Sequence, residues 1–196
     1  RKELRYWENI EKTKIKEIPR DFNKTDSVFK ESRTITVSLT KQLTDKLQRN
    51  TNAAYNTQIN DILLCSLGMA VKEWAGLDKV LIGLEGHGRE NILENISIER
   101  TIGWFTSLFP IVLDMEHSDD LPYCIKNTKE YLRRIPHKGI GYGIIKYLTA
   151  PAHKKDISFT IKPEIGFNYL GEISQKKRAV FQHADISSGW YKCFFI

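Results

Sequence analysis

The sequence predicts an α/β or α+β sandwich, and three observations carry that prediction. Ile59, Ile62, Leu63, Ser66, Leu67, Ala70 and Trp74 recur at helical spacing and mark one strongly amphipathic helix. Val80 to Leu84 is a short apolar run of the kind that forms a buried strand. Around these, candidate strands and helices alternate unevenly, which argues against a regular doubly wound sheet. The 196 residues suffice for one domain with its own core, or for one lobe of a larger one.

In chain order, Leu4, Tyr6, Trp7 and Ile10 make one helical face, followed by a Lys- and Glu-rich connector with Pro19. Residues 1–30 therefore read as a connecting helix and linker, not as the start of an independent domain. From Arg33 to Leu39, Thr34, Thr36 and Ser38 alternate with Ile35, Val37 and Leu39, the period of a strand with one buried face. Thr40 reads as the N-cap of a short helix carrying Leu43 and Leu47. The long helix takes Thr57 as its cap, holds Asn60 and Asp61 in its first turn, and stops at Gly76. Asn91 to Arg100 is polar and reads as a loop, and Thr101 to Leu113 is apolar and β-leaning. Pro110 confines that stretch to an edge or a bulge. Ser118 is placed to cap a helix through Leu121, Ile125, Thr128 and Leu132 to Pro136. A short periodic stretch through Ile144, Ile145 and Leu148 follows, then strands at Ile157 to Ile161 and Ile165 to Leu170.

Composition narrows the function classes. Apolar residues at 41% and charged residues at 28% are ordinary for a soluble globular protein. No apolar run approaches a membrane span, and the first residues are charged rather than signal-like, so a cytoplasmic setting is expected. The net charge of +6 is concentrated at the two ends of the chain. Lys176-Lys177-Arg178 is the one dense basic run and has no interleaved aromatics, so nucleic acid is not the expected partner. Cys65, Cys124 and Cys193 lack metal-type spacing and read as reduced thiols, and the five histidines form no metal-ligand pattern. The spacing of Gly139, Gly141 and Gly143 is not a dinucleotide fingerprint, and no serine sits in a nucleophile elbow.

One acid stands out. The apolar strand Val80 to Leu84 delivers Glu85 to a turn containing Gly86 and Gly88. A carboxylate taken out of water by such a strand is a candidate general base, because desolvation raises its pKa toward working pH. The competing reading is a Glu that pairs with an Arg at the strand end.

Five stretches together resemble one family. Glu85-Gly86-His87-Gly88-Arg89-Glu90 matches a signature of epimerization domains of nonribosomal peptide synthetases, within the condensation-domain superfamily. Asn60-Asp61-Ile62-Leu63-Leu64 resembles the family's helix motif. Arg100 to Pro110 resembles its Arg-Thr-Val-Gly-Trp-Phe-Thr-x-x-Tyr-Pro, with Ile102 and Phe109 as mild substitutions. Pro136 to Gly143 matches Pro-x-x-Gly-x-Gly-Tyr-Gly, and Phe167-Asn168-Tyr169-Leu170-Gly171 matches the last motif. The family's His-His-x-x-x-Asp-Gly, which belongs to its N-terminal lobe, does not occur here.

The resemblance implies a chloramphenicol-acetyltransferase-like α/β sandwich lobe, half of a two-lobed condensation-type domain. Residues 31–196 would be the C-terminal lobe, cut short at its end, and residues 1–30 the connection from the missing N-terminal lobe. It implies inversion of the α-carbon of an aminoacyl or peptidyl thioester held on the phosphopantetheine arm of a partner carrier protein. This chain would bind no cofactor of its own and no metal. Glu85 would be one acid/base, facing the missing lobe's histidine, with Tyr169 or Asn168 assisting by a proton or a hydrogen bond. Strand neighbours point to opposite faces, so only one of the two should line the site, and Tyr169 is the expected one. His87 would hold the turn, and Arg89 would pair with Glu90 or Asp61. The isolated chain would be inactive. A peptide-bond-forming condensation lobe and a non-catalytic carrier-docking lobe are the alternative readings.

Overall fold

The computed structural model describes residues 3–22, 32–90, 92, 96–154 and 157–171. Within these, α1 (Leu4–Glu11) precedes α2 (Lys41–Asp45), a π-helical turn (Lys46–Thr51), α3 (Asn52–Tyr55) and the long α4 (Ile59–Ala75). Then come β1 (Lys79–Gly86), β2 (Ser107–Asp114), α5 (Leu121–Arg133), a 3₁₀ turn (Pro136–Gly139), α6 (Ile140–Gly143), a π-helical turn (Ile144–Leu148), α7 (Pro151–Lys154) and β3 (Ile165–Phe167). The sheet has the order β2-β1-β3, with β1 antiparallel to β2 and parallel to β3. A mixed sheet with helices packed on it is an α/β arrangement, as predicted.

β1 sits at the centre because its sequence suits burial. Val80, Ile82 and Leu84 are buried and face their cross-strand partners Leu113, Ile111 and Phe109, which are buried too. Trp7, fully buried on α1, meets Phe109 and Tyr142 edge-on at 6.2 and 5.1 Å between ring centres. Leu4 and Ile10 are buried with it, so the predicted face of α1 belongs to the main core. Glu3 fastens the start of α1: its carboxylate accepts from Trp7 Nε1 at 3.2 Å and meets His137 Nδ1 at 2.5 Å.

Pro110 lies within β2, where the sequence allowed only an edge or a bulge. β2 is an edge strand, and the Val112 N–H, which shares Pro110's parity, points outward to the Tyr131 hydroxyl at 2.9 Å. The N–H that proline lacks is thus one that would have faced away from β1. Burial raises the Tyr131 pKa, consistent with a phenol held neutral at this edge.

Several boundaries differ from the expected ones. Arg33 to Leu39 forms no strand and pairs with none among the described residues, and Ile35 and Val37 are exposed. Alternation marks the face that would be buried, but a strand also needs a neighbour for its backbone. Ile157 to Ile161 is irregular, the strand near Asn168 stops at Phe167, and Thr101 to Thr106 stays irregular before β2. Gln58, not Thr57, caps α4: its N–H donates to Asp61 Oδ2 at 2.8 Å, while Thr57 bonds Asn52. Asp120, not Ser118, caps α5, accepting from the Tyr123 N–H at 3.0 Å. Thr40 caps α2 and Gly76 ends α4, as expected. Cys65 and Cys124 are buried free thiols with pKa values pushed up by burial. Cys193, His183, Lys176-Lys177-Arg178 and the finish from Trp190 lie outside the described residues. Among the described residues no helix is long and apolar enough to cross a membrane.

Candidate functional site

Glu85 occupies the next-to-last position of β1, one residue inside the strand rather than in the turn. Strand alternation turns it away from the Val80, Ile82 and Leu84 face. On that other side Glu85 is exposed, so the strand does not by itself take the carboxylate out of water. Its cross-strand partner is Leu108 of β2. On the parallel side the last paired residues are Leu84 and Phe167, and one step further Asn168 comes beside Glu85. There Asn168 Nδ2 donates to Glu85 Oε2 at 2.7 Å.

This contact joins two of the motifs read from the sequence. It also decides which of the two neighbours reaches Glu85. Alternation admits one, and it admits Asn168; Tyr169 is half-buried and makes no hydrogen bond among the described residues. The expectation favoured Tyr169, but the parallel register, which the sequence does not display, places Asn168 on the Glu85 side.

The turn after β1 is braced from within. Gly88 adopts φ +66°, and a Cβ there would fall onto the Phe105 carbonyl, so the position accepts only glycine. Arg89 does not pair with Glu90 or Asp61. Its guanidinium donates to the carbonyls of Ile98, Thr101 and Gly103 at 2.6, 2.9 and 3.2 Å, and lies 4.3 Å from the Phe105 ring centre. A planar fork with several donors suits such convergent carbonyls in a way a lysine would not. His87 holds the turn, accepting from the Arg89 N–H at Nδ1 and meeting Glu90 with Nε2 at 3.0 Å.

Glu90 also meets Lys138 Nζ at 2.9 Å. Lys138 reaches it from a run of three left-handed residues, His137, Lys138 and Gly139, of which Gly139 lies against the Phe109 ring. Positive φ at two consecutive non-glycine residues is uncommon and persists only where surrounding contacts hold it. Here His137 is tied to Glu3 and Lys138 to Glu90. The roles of Lys138, Glu90 and Leu108 were not visible beforehand, since each depends on pairing between distant segments. The braced loop presents Ile102 and Trp104 to solvent, 100% and 84% exposed. Asp61 is buried at the start of α4, far along the chain from this turn; burial raises its pKa against the opposing Gln58 N–H bond. Among the described residues no group of His, Cys, Asp or Glu is arranged to hold a metal.

The chain, with Glu85 and Asn168 side by side at one end of its mixed sheet, is matched by the condensation-domain family model over residues 1–192. The chain belongs to the condensation-domain family. It is 51% identical to the crystal structure of the epimerization domain from the third module of tyrocidine synthetase B, with a TM-score of 0.81. That match covers 86% of this chain and 39% of the other. Gramicidin S synthase 1 of Brevibacillus brevis is 51% identical over 189 residues, 95% of this chain and 17% of that protein. Surfactin synthase subunit 1 of Bacillus subtilis (strain 168) is 47% identical over 190 residues, 96% of this chain and 5% of that protein. The chain therefore spans only a small part of these relatives. Its fold is the chloramphenicol-acetyltransferase-like one of condensation-type domains; the X-domain from teicoplanin biosynthesis, at 17% identity and a TM-score of 0.57, shares it.

Proposed function

We propose that the chain is one lobe of an epimerization domain of a nonribosomal peptide synthetase. Its reaction is L-to-D inversion at the α-carbon of an aminoacyl or peptidyl thioester. The substrate arrives on the phosphopantetheine of a carrier domain in the same cytoplasmic assembly, and this lobe binds no cofactor itself. The observation that carries the reading is the 2.7 Å bond from Asn168 to Glu85, which builds one site from the two motifs.

The chemistry needs a base on one face of the α-carbon, a proton donor on the other, and stabilisation of the enolate between them. Glu85 is the acid/base group on this lobe. Asn168 holds Oε2 and leaves Oε1 to meet the substrate proton. A second acid/base group comes from the rest of the two-lobed domain. Covering by that part also removes Glu85 from water, which the strand alone does not do.

The test is Glu85→Gln in the complete two-lobed domain with its carrier. Inversion should fall by about 10²–10⁴-fold, the usual contribution of a general acid/base, with an unchanged thermal midpoint. Alongside it, Asn168→Ala should slow inversion and Tyr169→Phe should not. Full inversion by Glu85→Gln would remove the carboxylate from the mechanism.

A further inference from the structure

Leu108 stands directly across the β1–β2 ladder from Glu85 and is exposed to solvent. In an antiparallel pair, directly opposed residues share a face and hold their Cβ atoms about 4.5–5.5 Å apart. Glu85 and Leu108 are such a pair. Two other flanks of Glu85 on that face are occupied. Asn168 is bonded to Oε2, and the next position down β1 is Gly83, over which Pro163 sits at ordinary contact distance. From Phe109 to Leu113, β2 is buried throughout, whereas Leu108 is 46% exposed.

From this arrangement we infer that Leu108 is a specificity-determining residue, and that it contacts the amino-acid side chain of the thioester substrate. The inference rests on the reading of Glu85 as the acid/base group. A proton moves from carbon to carboxylate only when the α-carbon lies about 3–3.5 Å from the accepting oxygen. The α-substituent then lies within a side-chain length of whatever flanks that oxygen. On the Asn168 side the flank is a polar amide engaged with Oε2, and on the β2 side it is the leucine. An apolar side chain gains by covering Leu108, and a charged or strongly polar one would lose water there without gaining a partner. The substrate class is accordingly an aminoacyl or peptidyl thioester whose reacting residue carries a sizeable apolar side chain.

The experiment compares leucyl-, phenylalanyl- and alanyl-loaded carrier in the complete two-lobed domain, following L-to-D conversion by chiral separation of the released acids. Leu108→Ala should lower the leucyl-to-alanyl ratio of kcat/KM by about tenfold or more, since a single methylene in an apolar pocket is worth about 10–200-fold. Leu108→Met, which keeps the volume, should preserve the ratio. Equal loss for all three substrates, or no change in the ratio, overturns the assignment. Glu85→Gln run in parallel separates the two claims. If it still inverts, the acid/base reading fails and this inference falls with it. If it is inactive while Leu108→Ala leaves the ratio intact, only the specificity assignment is lost.

Discussion

The two ends of β1 are built to opposite purposes. At the Lys79 end the sheet is closed off. Met115, fully buried, fills the space against Gly68 of α4, and its N–H donates to the Asp78 carbonyl at 2.7 Å. Lys72 reaches from α4 to the carbonyls of Met115 and Glu116 at 2.7 and 3.0 Å and to the Asp78 carboxylate at 3.1 Å. At the Glu85 end the same strand is left open, with Glu85, Leu108 and Asn168 side by side and exposed. There the contacts are behind the site, in the Arg89 fork and the Glu90 pairs. One end secures the strand and the other presents a carboxylate from a strand anchored at its far end.

That contrast breaks most visibly at Met115. Met115→Ala in the complete domain should cost about 2–5 kcal/mol, as for other buried large-to-small changes. The folded fraction should keep its inversion rate, because nothing at the open end touches the cavity. A stable variant with slowed inversion would show that the two ends are coupled after all.

A smaller effect is expected at Arg89. Arg89→Ala removes a fork serving three carbonyls and should cost about 1–2 kcal/mol, given the charge-assisted bonds and partial exposure. Amide hydrogen exchange between residues 98 and 105 should accelerate while that of β1 near Lys79 stays slow. Unchanged exchange in the loop would mean that the glycine turn holds it without the fork.

The smallest effect sharpens the comparison from the closed side. Glu164 ties β3 to the connector after α1, accepting from Arg20 at 2.6 Å and from the Ile18 N–H at 2.8 Å. Partial burial pushes its pKa up, but the bonds from Arg20 and Ile18 outweigh it and leave the carboxyl below its ordinary value. A depressed folded pKa contributes stability that is complete above the unfolded value and lost as pH falls through the folded one. The midpoint gap between wild type and Glu164→Gln should therefore be present at neutral pH and shrink in the acid range. A gap that does not change with pH would assign the effect to packing alone.

The sequence revealed what depends on neighbours along the chain and concealed what depends on neighbours in space. The Thr40 and Gly76 caps and the apolar run of β1 are local, and they stand as read. The periodicity of α4 located the helix but not its buried face: Asp61, Ile62, Leu64, Cys65, Gly68 and Val71 are buried, whereas Ser66, Ala70 and Trp74 of the expected face are exposed, because packing against the sheet and α5 selects the face. Arg33 to Leu39 misled because alternation states which side would be buried without supplying a backbone partner. At the site, Glu85 was legible as a carboxylate ending an apolar strand. Its solvent exposure, its bond to Asn168 and its opposition to Leu108 were not, because each follows from strand register. Arg89 was misassigned for a related reason: carbonyls leave no mark in a sequence, so its partners were sought among acids.

Pro110 and Tyr131 have a consequence for how this sheet can grow. Along the outer side of β2 one donor is missing and the next is already engaged by a phenol. A foreign strand arriving there would find no regular ladder to join, which blunts the edge against sticking to other chains. The β3 side carries no such block among the described contacts. The opposite edge of the described sheet is β3, beside which Asn168 stands.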